Sequence, residues 1–161
     1  MSGGTVDIAI NGDGVDAAAA LNASLADLTG LFSRVAATYA ARVQGRFDSK
    51  TDPDRKPWPA WAPSTAKLRA RKGFSQPSSI LQLHNPGLRN TVSYTVTAQG
   101  ATVTVGADYA GYHEQIDGPG KGIIPRRAFL LSAHGGLGQD DADAIATTVQ
   151  SYFEQLIASL P

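Results

Sequence analysis

Three histidines are the side chains of this 161-residue chain best suited to proton transfer or metal binding: His84, His113 and His134. None has a second histidine four residues away, the spacing with which two histidines on one helix bind zinc. His113 is followed by Glu114, a pair that could supply a general base. Adjacent residues on a helical turn point apart, however. We therefore interpret the three histidines as structural or surface residues.

Motifs for covalent catalysis and phosphate binding are missing from the sequence. The chain has no cysteine, which excludes disulfides, thiol nucleophiles and cysteine-ligated metals. It has no Gly-x-Ser-x-Gly elbow, and its glycine-rich loop at about 117–122 lacks the Gly-Lys-Ser/Thr ending of a phosphate-binding loop. A Ser-His-Asp triad built from distant positions stays open, and a hydrolase has no positive feature. We expect no enzymatic activity, no cofactor and no metal.

A basic segment with interleaved aromatic residues, at 42–72, is the strongest candidate for binding. Cations and aromatic rings can together follow phosphates and stack bases. The nine basic residues of the segment are Arg42, Arg46, Lys50, Arg55, Lys56, Lys67, Arg69, Arg71 and Lys72; the aromatic residues in and next to it are Phe47, Trp58, Trp61 and Phe74. In the alternative interpretation Trp58 and Trp61, which stand among prolines, anchor an irregular loop to the core or to a neighbouring molecule.

Charge is balanced over the whole chain but not along it. Lys plus Arg and Asp plus Glu number 14 each, which argues against a free-standing binder of polyanions. Residues 1–41 carry four acidic side chains and one basic, and residues 128–161 carry four acidic side chains and no Lys or Arg. Together with the basic segment, this distribution suits head-to-tail contact between copies. Charges segregated onto separate solvated faces would show the same pattern.

Helical periodicity predicts a long element at each end of the chain. Over 15–44 apolar side chains recur every three or four residues among ten alanines, which predicts a helix unless Gly30 bends or breaks it. A second helix is predicted to begin at Asp140 as N-cap and to run to about Leu160. Between them we expect a short helix capped by Ser64 and ended by Gly73, and helical turns at 86–90 and 108–115.

Alternation of apolar and polar residues predicts the strands. Strands at 91–98 and 101–106, joined at Gln99-Gly100, would place Val96 opposite Val103 and an apolar face against the core. A short strand is predicted at 5–10, and the segment 123–131 is predicted to add another strand.

The expected fold is α+β in a single domain over 1–161. Long N- and C-terminal helices would pack on a small antiparallel β-sheet containing a central hairpin, with a proline-rich loop at about 45–63. The first ten residues do not resemble a secretion signal, and no apolar run is long enough to span a bilayer, so we expect no contact with membranes.

Several short motifs follow one another in a distinctive order along the chain. They are Asp52-Pro53, Trp58, Trp61, Thr65, Ile80-Leu81, Gly87-Leu88-Arg89, Val105-Gly106, Tyr109-Ala110, His113-Glu114 and Ile124-Pro125-Arg126-Arg127-Ala128-Phe129-Leu130. This order, over roughly residues 15–155, resembles the phage virion morphogenesis family of Mu-like phages, which includes tail-completion proteins.

The resemblance implies a non-enzymatic structural protein at the neck of a tailed phage, present in the host cytoplasm before assembly. Such proteins finish the tail or help join it to the filled head. Because tails commonly have six-fold symmetry, the resemblance implies a ring of six copies. Its partners would be neighbouring neck or connector proteins and the tail tube protein, and genomic DNA would pass through the ring.

Candidate site residues follow from these hypotheses. The expected interface residues are Trp58, Trp61, Arg89, Tyr109, Arg126, Arg127 and Phe129. The residues expected to face a DNA channel are Lys67, Arg69, Arg71 and Lys72. A double variant, Arg126→Glu with Arg127→Glu, is expected to block assembly while the monomer stays folded. The competing hypothesis is a nucleic-acid-binding module that uses residues 42–72.

Overall fold

Five helices, one 3₁₀ turn and one hairpin make up the part of the chain that the computed structural model describes, residues 13–74, 80–81, 87–114 and 124–160. The elements are α1 (Asp13–Ala26), α2 (Thr29–Ser49), α3 (Pro63–Ala70), the 3₁₀ turn (Leu88–Thr91), β1 (Val92–Thr97), β2 (Gly100–Val105), α4 (Ala110–Glu114) and α5 (Gln139–Ala158). The predicted α+β fold, helices on a small antiparallel sheet, is confirmed. The predicted strand at 5–10 and the glycine-rich loop at 117–122 lie outside the described residues.

Helix α2 is the central element, because it contacts both strands, the 3₁₀ turn and α5. Its Phe47 side chain is fully buried at the centre of the core. The Phe47 ring meets Trp58 edge-on at 5.5 Å between centroids and lies 5.3 Å from Phe129. The remaining core side chains are Val43, Ile80, Leu88, Val105 and Ala110. None of the described helices is long and apolar enough to cross a membrane.

The predicted N-terminal helix is divided at Asp27-Leu28, just before Gly30. Hydrogen bonding by the Thr29 side chain, and secondarily by the Thr29 backbone N–H, lowers the pKa of Asp27. The Asp27 carboxylate accepts that N–H at 2.9 Å. The first N–H groups of a helix have no partner within it, so this bond favours a new start for α2. Gly30 itself lies inside α2, which continues past the predicted end at 44 to Ser49. The irregular stretch therefore begins later than the predicted loop at 45–63.

The hairpin forms where the sequence predicts it, in a register displaced by two residues. Tyr94 pairs with Val103 and Val96 with Ala101, so the turn is Ala98-Gln99 and not Gln99-Gly100. A shift of two residues leaves every side chain on its predicted face. The apolar face packs on α2 at its base, where Val105 is buried, and Tyr94 is exposed nearer the turn.

The predicted strand at 123–131 is wrong for the residues described there. From 124 to 131 no residue joins the sheet, which has two strands within the described ranges. Instead, the side chains of Glu114 and Arg126 supply the hydrogen bonds that a neighbouring strand would have supplied.

Both predicted caps of the later helices are displaced by a residue or two. Helix α3 begins at Pro63 after Ala62, so Ser64 lies inside it, whereas Gly73 ends the turn with a φ of +80° as predicted. Helix α5 begins at Gln139 after Gly138, so Asp140 lies in its first turn.

A close approach of two segments explains why glycine stands at 138. A Cβ atom at Gly138 would collide with the carbonyl oxygen of Pro53. The absence of a side chain therefore lets the start of α5 lie directly against the loop that follows α2.

Candidate interaction surface and its scaffold

Three of the motifs that carry the family resemblance meet in one hydrogen-bonded unit: Trp58, His113-Glu114 and the motif from Ile124 to Leu130. The indole Nε1 of Trp58 donates to the carbonyl oxygen of Ala128 at 2.8 Å. The Arg127 guanidinium donates to the carbonyl oxygens of Pro59 at 2.8 Å and Ala60 at 3.1 Å. These bonds join the stretch after Trp58 to the segment around Ala128. Both stretches are irregular, and side-chain hydrogen bonds hold them together in place of strand pairing.

Glu114 and Arg126 hold the next part of the same segment. The Glu114 carboxylate accepts the backbone N–H groups of Phe129, of Leu130 at 2.6 Å and of Leu131 at 3.1 Å. The Arg126 guanidinium donates to the carbonyl oxygens of Glu114 at 3.1 Å, Leu131 at 2.8 Å and Ser132 at 3.0 Å. We call residues 126–132 the clamped segment, because side chains bind both its backbone N–H groups and its backbone carbonyl oxygens.

Three of the expected interface residues lie inside the protomer. Trp58 and Arg127 are 5% and 6% exposed, and Phe129 is fully buried. Their observed contacts are internal, and a role in subunit contacts stays a prediction. The structure argues against a folded monomer for the variant Arg126→Glu with Arg127→Glu. It would remove the donors to five carbonyl oxygens and place a carboxylate at a buried position.

The other expected interface residues lie nearer the surface. Arg89 is exposed and its guanidinium contacts the Asp48 carboxylate at 3.0 Å. Trp61 and Tyr109 are partly buried and line a cavity of about 540 Å³. The cavity wall also includes Thr65 and Arg69 of the α3 region, and no carboxylate stands among its described lining residues.

His113 lines this cavity in an uncharged state. Its buried Nδ1 atom has no hydrogen-bond partner among the described residues. Burial, and secondarily the positive charge of Arg127, lowers the pKa of His113 from 6.5 to about 4. A histidine so shifted is a weak base at neutral pH. The described residues also contain no group of three or more side chains suited to a metal ion.

Much of the basic segment at 42–72 is neutralised or buried within the protomer. The fully buried carboxylate of Asp141 pairs with Arg46 and with the Nε atom of Arg42, the latter at 2.7 Å. Arg55 pairs with the neighbouring Asp140. Of the aromatic side chains, Phe47 and Trp58 belong to the core and offer no ring for stacking bases.

The residues expected to face a DNA channel lie on and just after α3. Lys67, Arg71 and Lys72 are exposed. Arg69 is partly buried, with its guanidinium carbon 5.8 Å from the centroid of the Trp61 ring. Helix α3 has no buried residue, so its basic surface is available to a partner.

Sequence reasoning missed the two carboxylates that organise the protomer, Asp141 and Glu114. A signal for the first was present, because Arg42 and Arg46 stand four residues apart and therefore share one face of α2. Their buried partner lies on α5. Nothing local in the sequence indicates that Glu114 accepts three backbone N–H groups.

Comparison with known proteins gives a match to a protein family. Residues 14–154 match the model of the phage virion morphogenesis family. The matched range includes every motif of the clamped segment and its partners. No curated protein and no solved structure gives a significant match to the chain.

Proposed function

Because the chain belongs to the phage virion morphogenesis family, and so is a structural protein associated with the virion, we propose that it completes the tail and joins it to the head. It acts as a ring at the neck, in the manner of a tail terminator or a connector. The family match over residues 14–154 is the observation that carries this proposal.

The surface of the protomer supports assembly through repeated contacts between copies. Helix α3 exposes basic side chains, and α5 lies in the part of the chain that has no Lys or Arg. Opposite charge on two different surfaces favours a head-to-tail contact, which generates a ring when its rotation closes. Six copies would match the common symmetry of tails. Neighbouring neck or connector proteins and the tail tube protein are then the partners.

Electron microscopy of lysates from a phage lacking this gene tests the proposal. We expect full heads and tails that remain separate, and restoration of complete particles when the gene is supplied on a plasmid. Abnormally long tails would assign the protein to tail termination within the same proposal. Normal, infectious virions would refute it.

The exposed cations on and just after α3 support a second candidate function, nonspecific contact with DNA. Lys67, Arg71 and Lys72 could contact phosphates of DNA that passes through the ring. Because Phe47 and Trp58 are buried, this candidate rests on charge alone and not on base stacking.

A further inference from the structure

The two most exposed large apolar side chains of the described residues lie on different helices. Leu68 on α3 is 56% exposed and Ile157 on α5 is 62% exposed. Single exposed apolar residues are ordinary on protein surfaces. These two differ in the charges on their own helix faces, because Lys67 and Arg71 lie beside Leu68, whereas Glu154 lies one turn before Ile157.

The exposed side of α3 is a basic stripe with an apolar centre. Ser64, Lys67, Leu68 and Arg71 are all exposed and follow the spacing of one helix face. We call these four residues the α3 face. The helix has eight residues and no buried one, and helices so short are marginal in water without packing. A partner that covers the α3 face would therefore stabilise this helix.

The exposed side of α5 carries one carboxylate, Glu154, and an apolar end. Thr147, Gln150, Glu154 and Ile157 are exposed and also follow one helix face. We call them the α5 face. No Lys or Arg occurs anywhere after Arg127. The opposite side of α5 is occupied, because α5 packs on α2 and Thr148 contacts Thr38 at 3.2 Å between hydroxyl oxygens.

The two faces are complementary in length and in charge. Helix α3 is about 12 Å long at 1.5 Å per residue, which equals the length of the eight residues from Gln150 to Ile157. Both faces are exposed in the protomer, so neither covers the other within one chain. A second copy of the chain offers each face the partner that it lacks.

We propose that the α3 face of one copy packs against the α5 face of the next, with Leu68 against Ile157 and with Lys67 and Arg71 around Glu154. The inference rests on the proposed function, since it assigns the contact that builds the ring. The contact is heterologous, so each copy uses both faces. Its apolar centre supplies buried area, and its charges fix the pairing and the orientation.

Complementation between two single-face variants tests the proposal. Lys67→Glu with Arg71→Glu disables the α3 face, and Glu154→Lys disables the α5 face. By light scattering after gel filtration, the wild-type chain is expected at a multiple of 16.8 kDa and each variant at 16.8 kDa. An equimolar mixture of the two variants offers one wild-type pair of faces and one pair with both charges reversed, so we expect the two variants to assemble together in alternation. A chain with all three substitutions restores opposite charges and is expected to assemble again.

The matched control is Lys56→Glu, which reverses an exposed charge outside both faces and is expected to assemble like the wild type. Circular dichroism establishes that each variant is folded. If the wild type assembles and both variants assemble equally well, or if the mixture stays monomeric, the contact is refuted while the ring stands. A wild-type chain that stays monomeric at every concentration refutes the contact. Normal virions without the gene refute the proposed function separately.

Discussion

At the scale of single residues, Asp141 has the strongest effect on how the helices are joined. Its fully buried carboxylate receives Arg42 and Arg46 of α2, and the Arg46 guanidinium also donates to the carbonyl oxygen of Phe129. One side chain of α5 is therefore connected to α2 and, through Arg46, to the clamped segment. A buried carboxylate with two arginine partners is costly to disturb, because removing it leaves Arg46 buried without an opposite charge.

Asp141→Ala is expected to lower the free energy of unfolding by about 3–5 kcal/mol, the usual cost of removing one partner of a buried ion pair. Urea denaturation measures the change. Asp143→Ala is the matched control, because Asp143 is exposed on the same helix and its loss should cost no more than about 0.5 kcal/mol. Equal losses in the two variants would contradict a special role for Asp141.

His113 should make stability depend on pH in a defined window. Its pKa is lowered to about 4 in the folded protein against 6.5 for the ordinary value, so unfolding takes up a proton between these two pH values. The free energy of unfolding therefore falls as the pH is lowered through this window, and well above pH 6.5 the contribution of His113 to the pH dependence vanishes.

Comparing wild type with His113→Gln isolates this effect from the titration of carboxylates, which the two proteins share. We expect the wild type to lose more stability than the variant between pH 6.5 and 4.5, and the curves to run parallel above pH 7. His134→Gln changes an exposed histidine and should follow the wild-type curve. Parallel curves for wild type and His113→Gln across the window would show that burial does not shift this histidine.

At the scale of elements, the clamped segment replaces an expected strand. The extended stretch after Ile124 has the apolar composition of a strand, but Glu114 binds three of its N–H groups and Arg126 binds its carbonyl oxygens. A strand obtains such bonds from a neighbouring backbone, whereas here two side chains supply them. The segment can therefore bend to bring Ala128 and Phe129 into the core.

Glu114→Gln is expected to lower the free energy of unfolding by about 1–3 kcal/mol. Glutamine keeps a single acceptor oxygen and presents an NH₂ group to donors, so at least one backbone N–H loses its partner. Hydrogen exchange at the amides of Phe129, Leu130 and Leu131 should accelerate together. Asp108→Asn, at an exposed position, is the control, and unchanged exchange in Glu114→Gln would contradict the clamp.

At the scale of the whole molecule, pairing within the protomer reduces the charge separation seen along the sequence. Arg42, Arg46 and Arg55 are matched by Asp140 and Asp141 of the C-terminal helix. What remains exposed is a smaller basic surface around α3 and the carboxylates of Asp143 and Glu154 on α5. These exposed charges are the ones that can contact another copy of the chain or DNA.

DNA binding by the whole chain should be weak and limited by the exposed cations. Five basic residues of the segment at 42–72 are exposed, and Arg55 among them is paired with Asp140, which leaves Lys56, Lys67, Arg71 and Lys72. The logarithm of the binding constant should therefore fall with the logarithm of salt concentration with a slope no steeper than about 4. Fluorescence anisotropy with a short labelled duplex measures this slope.

Lys67→Glu with Arg71→Glu should make the slope shallower by about 2, because two phosphate contacts are lost. Arg89→Ala is the control, since it removes an exposed arginine that is already paired with Asp48. A slope much steeper than about 4 would mean that the buried or paired arginines also reach DNA, and would favour the nucleic-acid-binding hypothesis.

The sequence by itself determined the features that depend on near neighbours. Helical and strand periodicity located the long terminal helices and the hairpin, and Gly73 marked the end of the turn that follows α3. The two faces of the hairpin were predictable, but its register was not, because pairings two residues apart give the same faces. The order of the short motifs indicated the family before any contact among them was known.

Only the tertiary structure decided which polar residues face inward. Asp140 and Asp141 are adjacent and of the same type, yet Asp141 is fully buried and Asp140 is not. Arg127 and Phe129, expected at an interface, contact loops and core of their own chain. Burial and pairing depend on partners that are tens of residues away in sequence. No local sequence pattern identifies those partners, because they are set by how α2, α5 and the clamped segment pack together.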